Sequence, residues 1–166
     1  MSKDRELLKS LGFEGFMSMR ELMAGAKSQI PNQMGVYVIL RESNSEPIFM
    51  EEGTGGFFKG KNPNVTLVEL RSNWVDGTTI IYIGKAGGTG SSATLNKRLG
   101  QYLRFGKGAN VGHWGGRYIW QLQDSRDLVV YWKKLSSEEP REMEQKMIEE
   151  FKALHSGMRP FANLTD

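Results

Sequence analysis

Cysteine is absent from the 166-residue chain, and histidine occurs only twice, at His113 and His155. The first absence excludes a disulfide framework, a thiolate zinc site and a thiol nucleophile, and the second leaves no imidazole pair at metal-ligand spacing. Long apolar runs are missing too: none approaches the ~18 residues that a membrane span requires. The opening Met-Ser-Lys-Asp-Arg-Glu is charged in both signs, unlike a secretory leader. Together these absences lead us to expect a cytoplasmic protein with no membrane association. A further absence is local. Between Asp76 and Asp124 there is no acidic residue, while Lys85, Lys97, Arg98, Arg104, Lys107 and Arg117 fall in that stretch.

What is present argues for one folded domain. Hydrophobic residues make up 39% of the chain, and a chain of this size buries roughly 70% of the surface that its unfolded form exposes. The net charge of +3 is mild, but it averages the basic stretch with an acidic one, six glutamates from Glu138 to Glu150 against Arg141 and Lys146. Tyr82, Tyr102, Phe105, Trp114, Tyr118 and Trp120 are interleaved with the cations of the basic stretch. Such a surface attracts a phosphate backbone, and exposed rings can stack on bases. The plainer reading, solvated cations over core aromatics, stands beside it.

Along the chain, residues 3–11 and 19–27 read as two short helices, the second opened by a capping box of Ser18 and Glu21. They form an N-terminal segment, 1–32, expected to pack on a core domain spanning 33–166. Gly35-Val-Tyr-Val-Ile-Leu40 and Thr79-Ile-Ile-Tyr-Ile83 read as strands, separated by an insert at about 41–78 in which Thr66 to Val75 suggests an extra strand. A glycine-rich loop follows Gly84, then a helix from about Ala93 to Arg104. Arg117 to Gln121 suggests strand, and Asp127 to Trp132 reads as strand more clearly. Pro140 opens a final helix to about His155 with Met143, Met147, Ile148, Phe151 and Leu154 as its apolar stripe.

Two charged residues lie on apolar faces. Glu144 precedes Met147 and Ile148 by three and four positions, and Arg98 follows Leu95 by three and precedes Tyr102 by four. A carboxylate on a core-facing stripe requires a cation, a donor or a metal. An ion pair between Arg98 and Glu144 satisfies that need, and so does a functional site. Gly55 to Lys61 matches Gly-x4-Gly-Lys, yet Asn62 replaces the required hydroxyl residue and Pro63 follows, so no phosphate loop is expected there.

Taken in order, Gly35-Val36-Tyr37, Tyr82-Ile83-Gly84, Arg98 within Leu-Asn-Lys-Arg-Leu, Glu144 on the last helix and Asn163 near the end resemble the GIY-YIG nuclease superfamily. The likeness is nearest to the nuclease domain at the N-terminus of bacterial excision-repair incision proteins, through Tyr82-Ile-Gly-Lys-Ala86 and Arg98-x3-Tyr102. It covers about Gln33 to Leu164. The resemblance implies an α/β (α+β) domain with a small, mainly antiparallel central sheet flanked by helices. It also implies endonucleolytic hydrolysis of phosphodiester bonds in DNA with one Mg2+ or Mn2+ on Glu144. In that pattern Tyr37 and Tyr82 flank the attacking water, Lys85 lies nearby, Arg98 contacts the scissile phosphate, Tyr102 lines the site, and Asn163 orients the phosphate side or a neighbouring tyrosine.

The residue types suit the reaction, which needs an aligned water, an acceptor for its proton, and positive charge against the developing oxyanion. An unperturbed tyrosine titrates near ~10, so it needs help to act as a base at neutral pH. Sequence leaves open which of Tyr37, Tyr82 and Tyr102 takes the proton. Lys97, Arg104, Lys107, His113, Trp114 and Arg117 are candidates for substrate contact, Trp114 and Arg117 alternatively as pins for their loop. The chain departs from the family in the 45 residues between Tyr37 and Tyr82, in a longer loop before Arg98, in the 19 residues between Glu144 and Asn163, and in Gly112 to Trp120. Specificity is expected from the insert, from the loop around His113, or from a protein partner or self-association. A nucleic-acid-binding module of the same fold without catalysis is the alternative.

Overall fold

Gly35–Leu40 contains no charged side chain and forms β2, a strand buried along its whole length. β-branched and aromatic residues suit such a position because their stiff side chains pack well on a pleated surface. In the computed structural model, which describes residues 3–165, β2 lies inside a four-stranded sheet. Its neighbours are β3 (Ile80–Ala86) at one edge and β4 (Val129–Lys134) on the inner side, with β1 (Glu14–Ser18) at the far edge beyond β4. All three pairings are antiparallel. The fold is a small α+β domain, as expected.

Alternation along the strands divides the core in two. Val36, Val38, Leu40, Ile83 and Tyr131 face one side and pack with Leu8 of α1 (Lys3–Ser10) and Ile148 of α5 (Pro140–Leu154). Tyr37, Ile39, Tyr82, Val130 and Trp132 face the other and pack with Leu22 of α2 (Met19–Met23) and with Leu95, Leu99 and Leu103 of α4 (Leu95–Gly106). The helices at the ends of the chain thus cover one face and the inner helices the other. Among the described residues no helix is long and apolar enough to cross a membrane.

Three local expectations change. Residues 12–18, unassigned from sequence, contain β1, whose pairing with β4 is interrupted by a bulge between Gly15 and Met17. Gly15 has φ 104°, and a Cβ there would lie 2.8 Å from the Trp132 ring, so this turn of the edge strand needs glycine. Leu67–Asn73 is a helix, α3, rather than a strand, because the Thr66 hydroxyl caps the amide of Glu69 and Leu70 is fully buried beneath it. Trp114–Gln121 is a 3-10 helix with a kink at Gly116, not a strand. Instead of a sheet ladder it holds the insert: the Gln121 side chain accepts from Val65 N–H and donates to the Met50 and Val65 carbonyls, and Thr54 N–H donates to Trp120 C=O. The insert is therefore part of the packed domain, with Phe49 and Trp74 set against Phe161.

Candidate active site

Antiparallel register places Tyr37 directly across from Gly84, and Tyr82 across from Ile39, so both tyrosines lie on the same face of the sheet. Their ring centroids are 6.0 Å apart. The glycine is required by the tyrosine opposite. A Cβ at Gly84 would lie 2.3 Å from Tyr37 Cζ and 2.6 Å from its hydroxyl oxygen, so the Tyr37 ring lies across the space that a side chain would fill.

Arg98 reaches this face from the first turns of α4. That helix starts where it does because Thr94 caps the Lys97 amide and because Leu95 and Asn96 donate to the carbonyls of Gln33 and Pro31. The Arg98 guanidinium donates through Nη1 to Gln101 Oε1 at 3.2 Å and to Gly112 C=O at 3.1 Å. Glu144 comes from α5, on the far face of the sheet, and lines the cleft together with Lys85 of β3. Tyr37, Tyr82, Lys85, Arg98, Gln101 and Glu144 all line one cleft of about 340 Å³. The glycine-rich loop closes one side of it through Gly87 and Ser91. That loop is tied to α5 by Thr89, whose amide and hydroxyl both donate to the Glu139 carboxylate, at 2.9 and 3.0 Å.

The ion pair between Arg98 and Glu144 does not form. Among the described residues neither takes part in a salt bridge. Half-buried Glu144 has its carboxyl pushed above the usual range by desolvation, against the opposing pull of Lys85, Arg141 and Arg98. Burial likewise raises the phenols. Tyr82 is pushed up to about 12 by burial and by Glu144, against the lowering effect of Arg98. Tyr37 and Tyr102 are raised well above the usual phenol range, burial being the first cause for each. All three phenols are therefore neutral at physiological pH.

Other expected residues lie elsewhere. Tyr102 sits behind the cleft rather than in it: it is fully buried, and its hydroxyl donates to Gly116 C=O at 2.5 Å. Asn163 faces backbone, accepting from Ile83 N–H at 3.0 Å and donating to Ile83 C=O at 2.8 Å, so it braces the outer side of the strand that carries Tyr82. His113 is 0% exposed, which removes it from direct contact with a bound polymer. Trp114 and Arg117 are half-buried, and Trp114 packs against the larger core cluster. The Arg117 guanidinium stacks 4.6 Å from the Trp114 ring centroid, and the adjacent Tyr118 hydroxyl donates to Glu69 of α3. Lys97, Arg104 and Lys107 remain exposed on or just after α4. Gln101 was missed from sequence, although its position three residues after Arg98 puts it within reach of that guanidinium. Comparison of the chain with protein-family models, with curated proteins and with solved structures gives no match.

Among the described residues no three His, Asp or Glu side chains converge as a metal cage. The cleft does offer one carboxylate without a salt-bridge partner. Magnesium commonly binds through one or two carboxylates, keeping several waters and taking phosphate oxygens from substrate. The donor set fits that habit and does not fit a structural zinc site.

Proposed function

We propose that this protein is a metal-dependent endonuclease that hydrolyses phosphodiester bonds in DNA and works in the cytoplasm. The observation that carries the reading is the convergence of Tyr37, Tyr82, Lys85, Arg98 and Glu144, from four separate elements, on one cleft. The ordered motif set in the sequence supports the same class of enzyme.

In this reading Arg98 binds the scissile phosphate. The hydrogen bonds it makes within the protein use Nη1 alone, which leaves Nη2 and Nε for phosphate oxygens in the fork geometry that suits them. Lys85 adds a second positive charge beside the leaving or attacking oxygen. Glu144 would hold Mg2+ or Mn2+, which on binding supplies charge neutralisation at the phosphoryl oxygens. Tyr37 and Tyr82 orient the attacking water. Because both are neutral phenols, either can accept the water's proton only as its own proton leaves, so the base works as a relay. The exposed Lys97, Arg104 and Lys107 track the backbone on either side of the cut.

The test is magnesium-dependent cleavage of mixed duplex, single-stranded and branched DNA by the wild type, by Glu144→Gln and by Arg98→Ala. Cleavage by the wild type alone supports the reading. Salt-sensitive binding without cleavage by the wild type replaces it with the non-catalytic module.

A further inference from the structure

The segment Gly112 to Gly116 has no counterpart in the motif set, yet it is bound into the tyrosine cluster at three points. Arg98 Nη1 donates to Gly112 C=O, and the Tyr102 hydroxyl donates to Gly116 C=O. Between those anchors the His113 ring stacks on Tyr102, with centroids 3.7 Å apart and planes within 8°. Its Nε2 lies 2.9 Å from the Tyr37 hydroxyl oxygen. The imidazole is sealed from solvent, and the titratable or charged groups that face it are Tyr37 from β2, Tyr82 from β3, and Tyr102 and Arg98 from α4.

Resting on the nuclease reading above, we infer that His113 is the positioning residue for Tyr37, and that it takes the Tyr37 proton as Tyr37 accepts one from the attacking water. Two features fit this role. Burial and the Arg98 charge hold the imidazole well below its usual pKa, so it is neutral with a free lone pair at physiological pH, and the imidazolium formed in the step is a transient that gives its proton back. On the far side, Nδ1 is buried and has no hydrogen-bond partner among the described residues. In the tautomer protonated at Nδ1, Nε2 is the acceptor for the Tyr37 O–H.

The step balances. The water oxygen forms a bond to phosphorus as its O–H bond breaks, and the released proton goes to the Tyr37 oxygen. The Tyr37 proton crosses the 2.9 Å hydrogen bond to Nε2, giving an imidazolium. The opposite P–O bond breaks, and the leaving oxygen takes a proton from solvent. The imidazolium then returns its proton through Tyr37 to the water that refills the cleft. Protons alone move between side chains, so no redox partner is needed.

A purely packing role predicts different behaviour from a relay, and His113→Gln separates them. Gln Oε1 can accept from the Tyr37 hydroxyl and so preserve its orientation, but it cannot take the proton. We expect His113→Gln to keep the wild-type melting behaviour and KM while kcat falls ~100-fold, the usual scale of a lost general-base contribution. His113→Gln at wild-type kcat overturns the relay. Nitrogen NMR of the unsubstituted protein gives a second readout that needs no activity: a proton on Nδ1 with a bare Nε2 is expected, and a proton on Nε2 overturns the proposal whatever the variants do. A wild type that cleaves nothing removes the nuclease reading together with the relay. A wild type that cleaves, alongside an equally active His113→Gln, removes the relay alone.

Discussion

Replacing Gly84 by alanine tests how the two strands hold the tyrosines. The added methyl would sit 2.3 Å from Tyr37 Cζ, whereas carbon atoms settle at about 3.5–4.0 Å, so the ring must retreat by more than ~1 Å. Tyr37 is 1% exposed and is held by His113 Nε2 at 2.9 Å, with the Tyr82 ring alongside. Overpacking of this kind costs about 1–3 kcal/mol, which for a domain of this size lowers the melting temperature by about 2–12 °C. A displacement of ~1 Å at a reacting group lowers the rate by about 100-fold. Urea unfolding should show a lower midpoint with an unchanged slope, and DNA cleavage should fall in parallel. Tyr37→Ala in the same chain should remove the clash, so the double variant should be less destabilised than the sum of the two single changes. A Gly84→Ala protein with wild-type stability and wild-type cleavage would refute the reasoning.

Other predictions follow from the site. Glu144→Gln should abolish cleavage while leaving the protein at least as stable as wild type near pH 7, because the carboxylate has no salt-bridge partner and its folded pKa is raised. A raised carboxyl favours the fold below its unfolded pKa and loses that contribution as pH climbs through the folded value, so the stability gain from Gln should vanish below about pH 4; urea unfolding at several pH values checks this. Tyr82 stabilises the fold below pH 10.0 and loses that contribution as pH rises through about 12, so Tyr82→Phe should flatten the alkaline end of the stability curve. Asn163→Ala removes two hydrogen bonds to Ile83 and should cost about 1–2 kcal/mol, with a fall in kcat that follows from a looser Tyr82 strand. Joint replacement of Lys97, Arg104 and Lys107 by alanine should reduce the slope of log K against log salt for duplex binding by about 2 to 3.

The sequence shows the parts of this arrangement that depend on local pattern. Six consecutive nonpolar or aromatic residues from Gly35 to Leu40 mark β2, the Ser18 and Glu21 capping box opens α2, and helical spacing sets Glu144 apart from the solvent face. Hidden features depend on distant partners. β1 is short, bulged and broken by Gly15, so it exists only because Trp132 and its neighbours pair with it. Thr66 to Val75 suggested an extra strand, but the Thr66 cap and the burial of Leu70 decide for helix over Leu67–Asn73. The role of His113 was the least visible. A lone histidine in a glycine-rich stretch gives no periodicity, and its partners Tyr37 and Tyr102 are 76 and 11 positions away. The burial that removes it from the substrate surface is what brings its Nε2 to the Tyr37 hydroxyl.

The claim that the cleft is a phosphodiesterase centre is tested most directly by incubating the wild type, Glu144→Gln and Arg98→Ala with DNA in the presence and absence of magnesium. The account predicts cleavage by the wild type only when magnesium is present, and a loss of at least ~100-fold in each variant, with all three proteins folded. Equal cleavage by all three, or no cleavage by a folded wild type on any DNA geometry, would contradict it.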